Sequence, residues 1–237
     1  MKRVLARDQL EERIKLLSAL EVLEPLGVEE LAWVAQRILD RSFHKGEFVY
    51  APGNASEVLF LLLGGSLRLY GMTGGQELTF EILQAGTMFG VASMMERAQD
   101  EYALALAPSR IGMLNLSDFW HVVRQNPQVI ERVVRLLGER LRLSRGRMMD
   151  IALKEVPARL ASLLFDLIQS EGVVTSGGHY KILGRYTHEQ LATMIGAKRA
   201  SVTRAFGKLQ DIGCVQLLRR QVYVTDLALL SRLAVEA

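Results

Sequence analysis

The sequence predicts an α+β fold in three parts: a β jelly roll, a long helix, and a C-terminal winged helix–turn–helix. Three observations carry this expectation. Between Phe43 and about Met113, short β-prone segments alternate with glycines such as Gly46, Gly53, Gly74 and Gly86. From Ile130 to Ile151, apolar residues recur at alternating steps of four and three. Tyr186 to Leu209, YTHEQLATMIGAKRASVTRAFGKL, reads as two short helices joined at Gly196. A chain of 237 residues is long enough for two domains with separate cores. The boundaries read as 1–125 for the jelly-roll sensor with flanking helices, 126–153 for the long helix, and 154–237 for the winged helix–turn–helix.

The first elements are helical. Leu10, Ile14, Leu17 and Leu20 recur at three- and four-residue spacing, and Leu31, Val34, Ala35 and Ile38 follow. Strands are then expected at Glu47–Tyr50, Val58–Leu63, Ser66–Tyr70 and Leu78–Leu83, a spacing that fits a sandwich or barrel. Ser117 is placed to cap a short helix ending near Arg124. Asn126 followed by Pro127 signals the next helix start, because proline at the first helical position gives up only an N–H that would be unpaired anyway. Along that helix Ile130, Val134, Leu137, Leu141, Ser144, Met148 and Ile151 form a narrow stripe between Arg- and Glu-rich faces. Such a stripe fits a two-helix seam, whereas a helix lying on its own domain usually shows a wider apolar face. Pro157 ends this helix and opens another, with Leu160, Leu163, Leu164, Leu167 and Ile168 as its core and Lys154–Val156 as a hinge.

The helix pair carries the candidate chemistry. Thr187 and Gln190 form a capping box. Leu191, Ala192 and Ile195 give the first helix a buried face, and Val202, Phe206 and Leu209 do so for the second. Lys198, Arg199, Ser201, Thr203, Arg204 and Lys208 are left outside, a composition suited to phosphates and base edges. Cys214–Leu218 and Gln221–Thr225 read as a hairpin with Arg219 and Arg220 at its tip, placed for backbone phosphates. From Lys154 onward there are 11 Lys and Arg against 7 Asp and Glu, while the preceding residues hold 18 against 19. The excess cation therefore sits in the part bearing the helix pair, as expected when one domain meets a polyanion. A basic hairpin lying in solvent, or a basic surface docking on an acidic partner protein, remains the alternative.

Other classes are disfavoured. A cupin-like enzyme would need a His/Glu metal cluster in the β region, where His44 stands isolated. His44, His121, His179 and His188 lack metal-ligand spacing and read as surface or turn residues, so no metal is expected. Cys214 is a lone cysteine and reads as core packing. No nucleophile elbow, P-loop or paired carboxylates are evident, so no catalysis is expected. The longest apolar stretch, Val58 to Leu67, is about half of what a membrane-spanning helix needs. With no signal-peptide pattern, a soluble cytoplasmic protein is expected.

The order of parts, and above all TxxxLAxxxGxxxxxVxR from Thr187 to Arg204, resembles the CRP/FNR family of bacterial transcription regulators. The resemblance implies a cyclic-nucleotide-binding-like jelly roll and a homodimer paired along the long helix. It also implies a pseudo-palindromic double-stranded DNA site, and contact with RNA polymerase during activation. It places the second helix in the major groove, with Arg199 and Arg204 at the base-reading positions and Thr187, Lys198, Ser201 and Thr203 around them. Ala200 stands where cAMP- and oxygen-responsive members carry glutamate, so the half-site should differ from theirs. In the sensor, Gly90 is followed by Val91 instead of glutamate, and Asp100, Glu101 and Tyr102 fall where a phosphate-binding arginine is expected. Binding of cAMP is therefore not expected, and an effector-independent regulator without cofactor is the leading reading. Phe89, Gly90, Val91 and Ala92, with Arg142, resemble the 2-oxoglutarate site of the cyanobacterial nitrogen regulators, which makes that ligand the alternative. Against it, Arg97 lies too close to Phe89 to be the loop arginine, and Arg147 replaces a family glutamate.

Overall fold

Leu59 to Leu63 are all buried, and their alternation organises the N-terminal part of the chain. They belong to β3 (Val58–Gly64), where successive side chains point to opposite faces. Leu59, Leu61 and Leu63 join one apolar cluster, and Phe60 and Leu62 join another. A strand covered on both faces reads as an unbroken apolar run. The computed structural model describes residues 7–54, 57–95, 98–219 and 221–235. It divides into two compact units, the first holding the chain to Gly71 and Phe80–Leu141, the second Met72–Thr79 and Arg142 onward.

In the first unit α1 (Arg7–Ser18) and α2 (Val28–Ala35) flank a short 3₁₀ turn at Glu21–Leu23. Then come β1 (Leu39–Phe43), β2 (Phe48–Tyr50), β3, β4 (Ser66–Thr73), β5 (Gln76–Gln84), β6 (Thr87–Phe89), β7 (Tyr102–Ala105) and β8 (Ser109–Asn115), with the end of β4 and the start of β5 (Met72–Thr79) counted in the second unit. They form two four-stranded sheets, in the orders β1-β8-β3-β6 and β2-β7-β4-β5. Phe43, Tyr50, Phe60, Leu69, Phe89 and Ile111 are among the side chains of the cluster to which both sheets contribute, which is a jelly-roll core. The other cluster joins β3 and β8 to α1, α2, α3 (Leu116–Gln125) and the start of α4 (Gln128–Leu153). Arg13 is nearly buried there: its Nη1 donates to the carbonyls of Ala35 and Ile38, and its Nη2 pairs with Asp40 at 3.1 Å. Asp40 also holds Arg110 of β8 at 2.7 Å.

Two helix starts differ from expectation. Asn115, not Ser117, is the N-cap of α3, and its side chain makes no capping bond. The Asn126 side chain donates to Glu30 at 2.7 Å, and α4 begins at Gln128 after a tighter turn in which Val129 N–H bonds Asn126 C=O. That bond ties the start of α4 to a carboxylate 96 residues away.

Along α4, Val129 and Val133 are buried, with Ile130 and Leu136 partly packed beside them. Val134, Leu137, Leu141, Met148 and Ile151 are exposed apolar residues, and Ser144 is exposed between them. The helix is therefore apolar on two faces, and Ile130 is shared with the unit's own core.

The second unit contains α5 (Val156–Glu171), β9 (Gly172–Val174), β10 (Tyr180–Ile182), α6 (His188–Met194), α7 (Arg199–Asp211), β11 (Val215–Leu218), β12 (Gln221–Val224) and α8 (Leu227–Val235). The strands form one antiparallel sheet in the order β11-β12-β10-β9. Pro157 sits in the first turn of α5, two residues past the break after α4. There Lys154 uses all three ammonium protons, on Asp150, Ser162 and the Ala234 carbonyl.

Candidate nucleic-acid interface and sensor loop

The helix pair is built from α6 and α7 over a common core. Leu191, Ala192 and Ile195 pack with Val202, Ala205, Phe206 and Leu209 around Leu160 and Leu164 of α5. The capping box closes reciprocally: Gln190 N–H donates to Thr187 Oγ1 at 3.1 Å, and Thr187 N–H donates to Gln190 Oε1 at 2.8 Å. Gly196 follows α6 at φ +61°, a left-handed conformation that glycine adopts without strain. Arg159 of α5 donates to the Ile195 carbonyl at 3.0 Å, satisfying a group the helix end leaves open.

Packing of that face fixes what the other face presents. Lys198, Arg199, Ala200, Thr203, Arg204 and Lys208 are exposed, and Ser201 is half-buried. Lys198 is the N-cap of α7 and supplies no side-chain capping bond, as its type requires. Arg204 donates to Ser201 Oγ at 3.2 Å. Among the described residues none of Lys198, Arg199, Arg204, Lys208 or Arg219 pairs with a carboxylate. Arg219 stands exposed at the β11–β12 tip with φ +50°, as two-residue hairpin loops demand. Arg220 lies outside the described residues, and Thr187 is exposed with its hydroxyl committed to the cap.

Sequence reasoning missed His188. Its ring lies flat on Phe206 at 4.9 Å with 6° between planes, and Nδ1 is 2.9 Å from Thr203 Oγ1. The only signal in the sequence was its place beside the cap residue.

The sensor loop is tightly filled. Phe89 is fully buried, its ring 5.2 Å from that of Phe60 and 6.1 Å from that of Tyr50. At Gly90 (φ +72°) a Cβ would fall 2.5 Å from the Phe60 ring. Gln99 donates to the Gly90 carbonyl at 3.3 Å, and Val91 and Ala92 begin a 3₁₀ turn over Val91–Met95, both half-buried. Tyr50 donates to Glu101 at 3.0 Å; burial pushes the Glu101 carboxyl above its ordinary range and the phenol higher still. Arg140 is held by Glu81 at 3.1 Å and by the Met88 carbonyl. Asp100 is exposed and Tyr102 stacks on Tyr70.

Arg142 belongs to the second unit, where it and Arg147 partly offset the burial that raises the Asp166 carboxyl. Arg97 lies outside the described residues. No cluster of three His, Cys, Asp or Glu able to hold a metal occurs among the described residues. No described helix is long and apolar enough to cross a membrane.

Comparison with known proteins defines the class. Residues 40–126 match the cyclic nucleotide-binding domain, and residues 158–233 match the Crp-like helix-turn-helix domain. The chain is thus a DNA-binding transcription regulator in which a cyclic-nucleotide-binding-type jelly roll precedes the helix–turn–helix.

Among its relatives is a CRP-like cAMP-activated global transcriptional regulator of Mycobacterium tuberculosis, 25% identical over 88% of this chain and 94% of its own. The cyclic AMP receptor protein of Thermus thermophilus is 28% identical over 88% and 94%, and the global nitrogen regulator of a Nostoc species 25% over 81% and 87%. A CooA mutant from Carboxydothermus hydrogenoformans shares the fold with TM-score 0.78 at 21% identity, covering 91% of this chain and 95% of its own. FixK2 from Bradyrhizobium japonicum does so with TM-score 0.73 at 19% identity, over 84% and 98%. The protein belongs to the CRP/FNR family of transcription regulators.

Proposed function

We propose that the protein binds a pseudo-palindromic promoter site as a homodimer and activates transcription without a small-molecule effector. The observation that carries the DNA-reading part is the outer face of α7, where cations stand exposed with no carboxylate partner among the described residues, above a packed inner face. Arg199 and Arg204 read guanine edges, each able to make a bidentate contact. Lys198, Ser201, Thr203 and Lys208, with Thr187 at the α6 cap and Arg219 and Arg220 on the wing, position the backbone. Ala200 offers no acceptor to a cytosine amine.

The two-fold axis runs along α4, where Val134, Leu137, Leu141, Met148 and Ile151 expose an apolar stripe that includes Ser144. Ile130 extends it at the helix start. Pairing there sets two recognition helices one DNA turn apart, about 34–36 Å. RNA polymerase is met through an exposed loop, and the DNA partner places the protein in the cytoplasm.

Two relatives bear cAMP in their names, but here Asp100, Glu101 and Tyr102 fall where the resemblance expects a phosphate-binding arginine, and the two carboxylates oppose a phosphate. A second reading, response to 2-oxoglutarate at Phe89–Ala92 with Arg142, is favoured by the likeness to the nitrogen regulators. Selection of bound duplexes from a random DNA pool tests the proposal, run alone and with cAMP or 2-oxoglutarate. Recovery of one inverted repeat under all conditions is expected. Dependence on either ligand would replace the effector-free reading, and recovery of unrelated sequences would favour docking on an acidic protein instead.

A further inference from the structure

His188 is the first residue of α6, yet its side chain is spent on α7. Thr203 Oγ1 donates its proton to the Arg199 carbonyl at 3.1 Å, one turn back in the recognition helix. A threonine hydroxyl has a single proton, so the 2.9 Å contact with His188 needs the hydrogen on Nδ1. Stacking on the buried Phe206 ring fixes the imidazole plane. Nε2 then carries a lone pair in the neutral ring and has no partner among the described residues. It becomes a donor only by gaining a proton.

We propose that His188 is a proton-linked contact to the DNA backbone: Nδ1–H pins Thr203 and the first turn of α7, while protonated Nε2 bonds a phosphate. This rests on the reading of α7 as the DNA-facing helix. The charges around the ring agree with it. Arg199 on α7 acts directly on the imidazole, Glu189 follows it in α6, and Lys198 caps α7. Burial, with Arg199 second, holds the imidazole below its ordinary range in the free protein, so it is neutral at pH 7. A phosphate beside Nε2 opposes both effects and draws a proton in.

By linkage, DNA affinity must rise as pH falls through the interval between the free and bound values, by up to about tenfold per pH unit for each proton taken up. The test uses the full chain and a duplex selected as above, with affinity measured from pH 5.5 to 8 at fixed ionic strength. His188→Asn keeps a donor toward Thr203 but cannot titrate. His179→Asn controls for the other histidine of this unit, which lies in the β9–β10 turn; His44 and His121 belong to the first unit.

The wild type and His179→Asn should share a negative slope that His188→Asn lacks, with base preference unchanged. The His188 ring resonances should also titrate at higher pH in the complex than in the free protein. Equal slopes in wild type and His188→Asn, or an unmoved His188 titration, would overturn the inference while leaving DNA reading intact. A wild type that binds no duplex at any pH would overturn that reading, and the inference with it.

Discussion

Arginine is used in opposite ways in the sensor and the reader. In the jelly-roll unit Arg13 and Arg110 share Asp40, Arg37 pairs with Asp118, Arg132 with Glu24, and Arg140 with Glu81. Each is matched within the fold, so it joins elements and leaves little charge for a ligand. On α7 and the wing, Arg199, Arg204 and Arg219 have no carboxylate partner among the described residues. The difference teaches that the near-neutral total charge says little about function. What distinguishes these jelly-roll arginines from those of α7 and the wing is whether acids stand beside them, because an unmatched cation at the surface remains available to a polyanion.

The largest break in this comparison should come from the α4 stripe. Leu137→Glu with Leu141→Glu places like charges on both sides of the proposed seam. Sedimentation should show monomers, and site affinity should fall by about 10²–10⁴-fold as two linked contacts become one. An unchanged dimer would place the axis elsewhere.

Next in size is the sensor interior. Phe89→Ala removes a fully buried ring from the Phe60–Tyr50 stack and should lower stability by about 3–5 kcal/mol in denaturant unfolding. Loss of DNA affinity without loss of stability would mean that the loop is a ligand site and not packing.

Within the reader, Arg199→Ala should cost about 1–3 kcal/mol of binding and relax base choice, whereas Lys208→Ala should weaken all duplexes alike and lower the salt slope by about one. Band shifts across salt concentrations separate the two. Identical behaviour would erase the distinction between base and backbone contacts.

The smallest effect is expected at Glu101. Its carboxyl is raised in the folded state, so between its ordinary and its raised value the folded protein holds a proton that the unfolded chain releases. Stability must therefore fall as pH rises through that window. Glu101→Gln keeps an acceptor for Tyr50 and should remove the fall, giving a higher melting temperature than wild type at pH 7 and little difference at pH 4.

Much of this could be read from the residues because the informative patterns are local. The capping box at Thr187, the Pro157 start and the apolar runs of β3 and α7 each fix their neighbours within one turn or one strand. The strands β9 and β10 were not anticipated, since three-residue segments show no period and Thr175–Gly178 reads only as a loop. The short strand β1 was likewise missed, because it gains its place by pairing with β8 some 70 residues later. Side-chain partners were the least legible. Asn126 donates to Glu30, Arg159 closes the end of α6, and His188 crosses to Thr203. Each depends on packing between elements that the order of residues does not encode locally.

The most direct measurement is the affinity of wild type and Arg204→Ala for a selected operator and all single-base variants of its half-site. Loss confined to one or two base positions, with the mutant indifferent there and wild-type-like elsewhere, is the predicted result. A mutant that weakens every variant by the same factor would contradict base reading by α7.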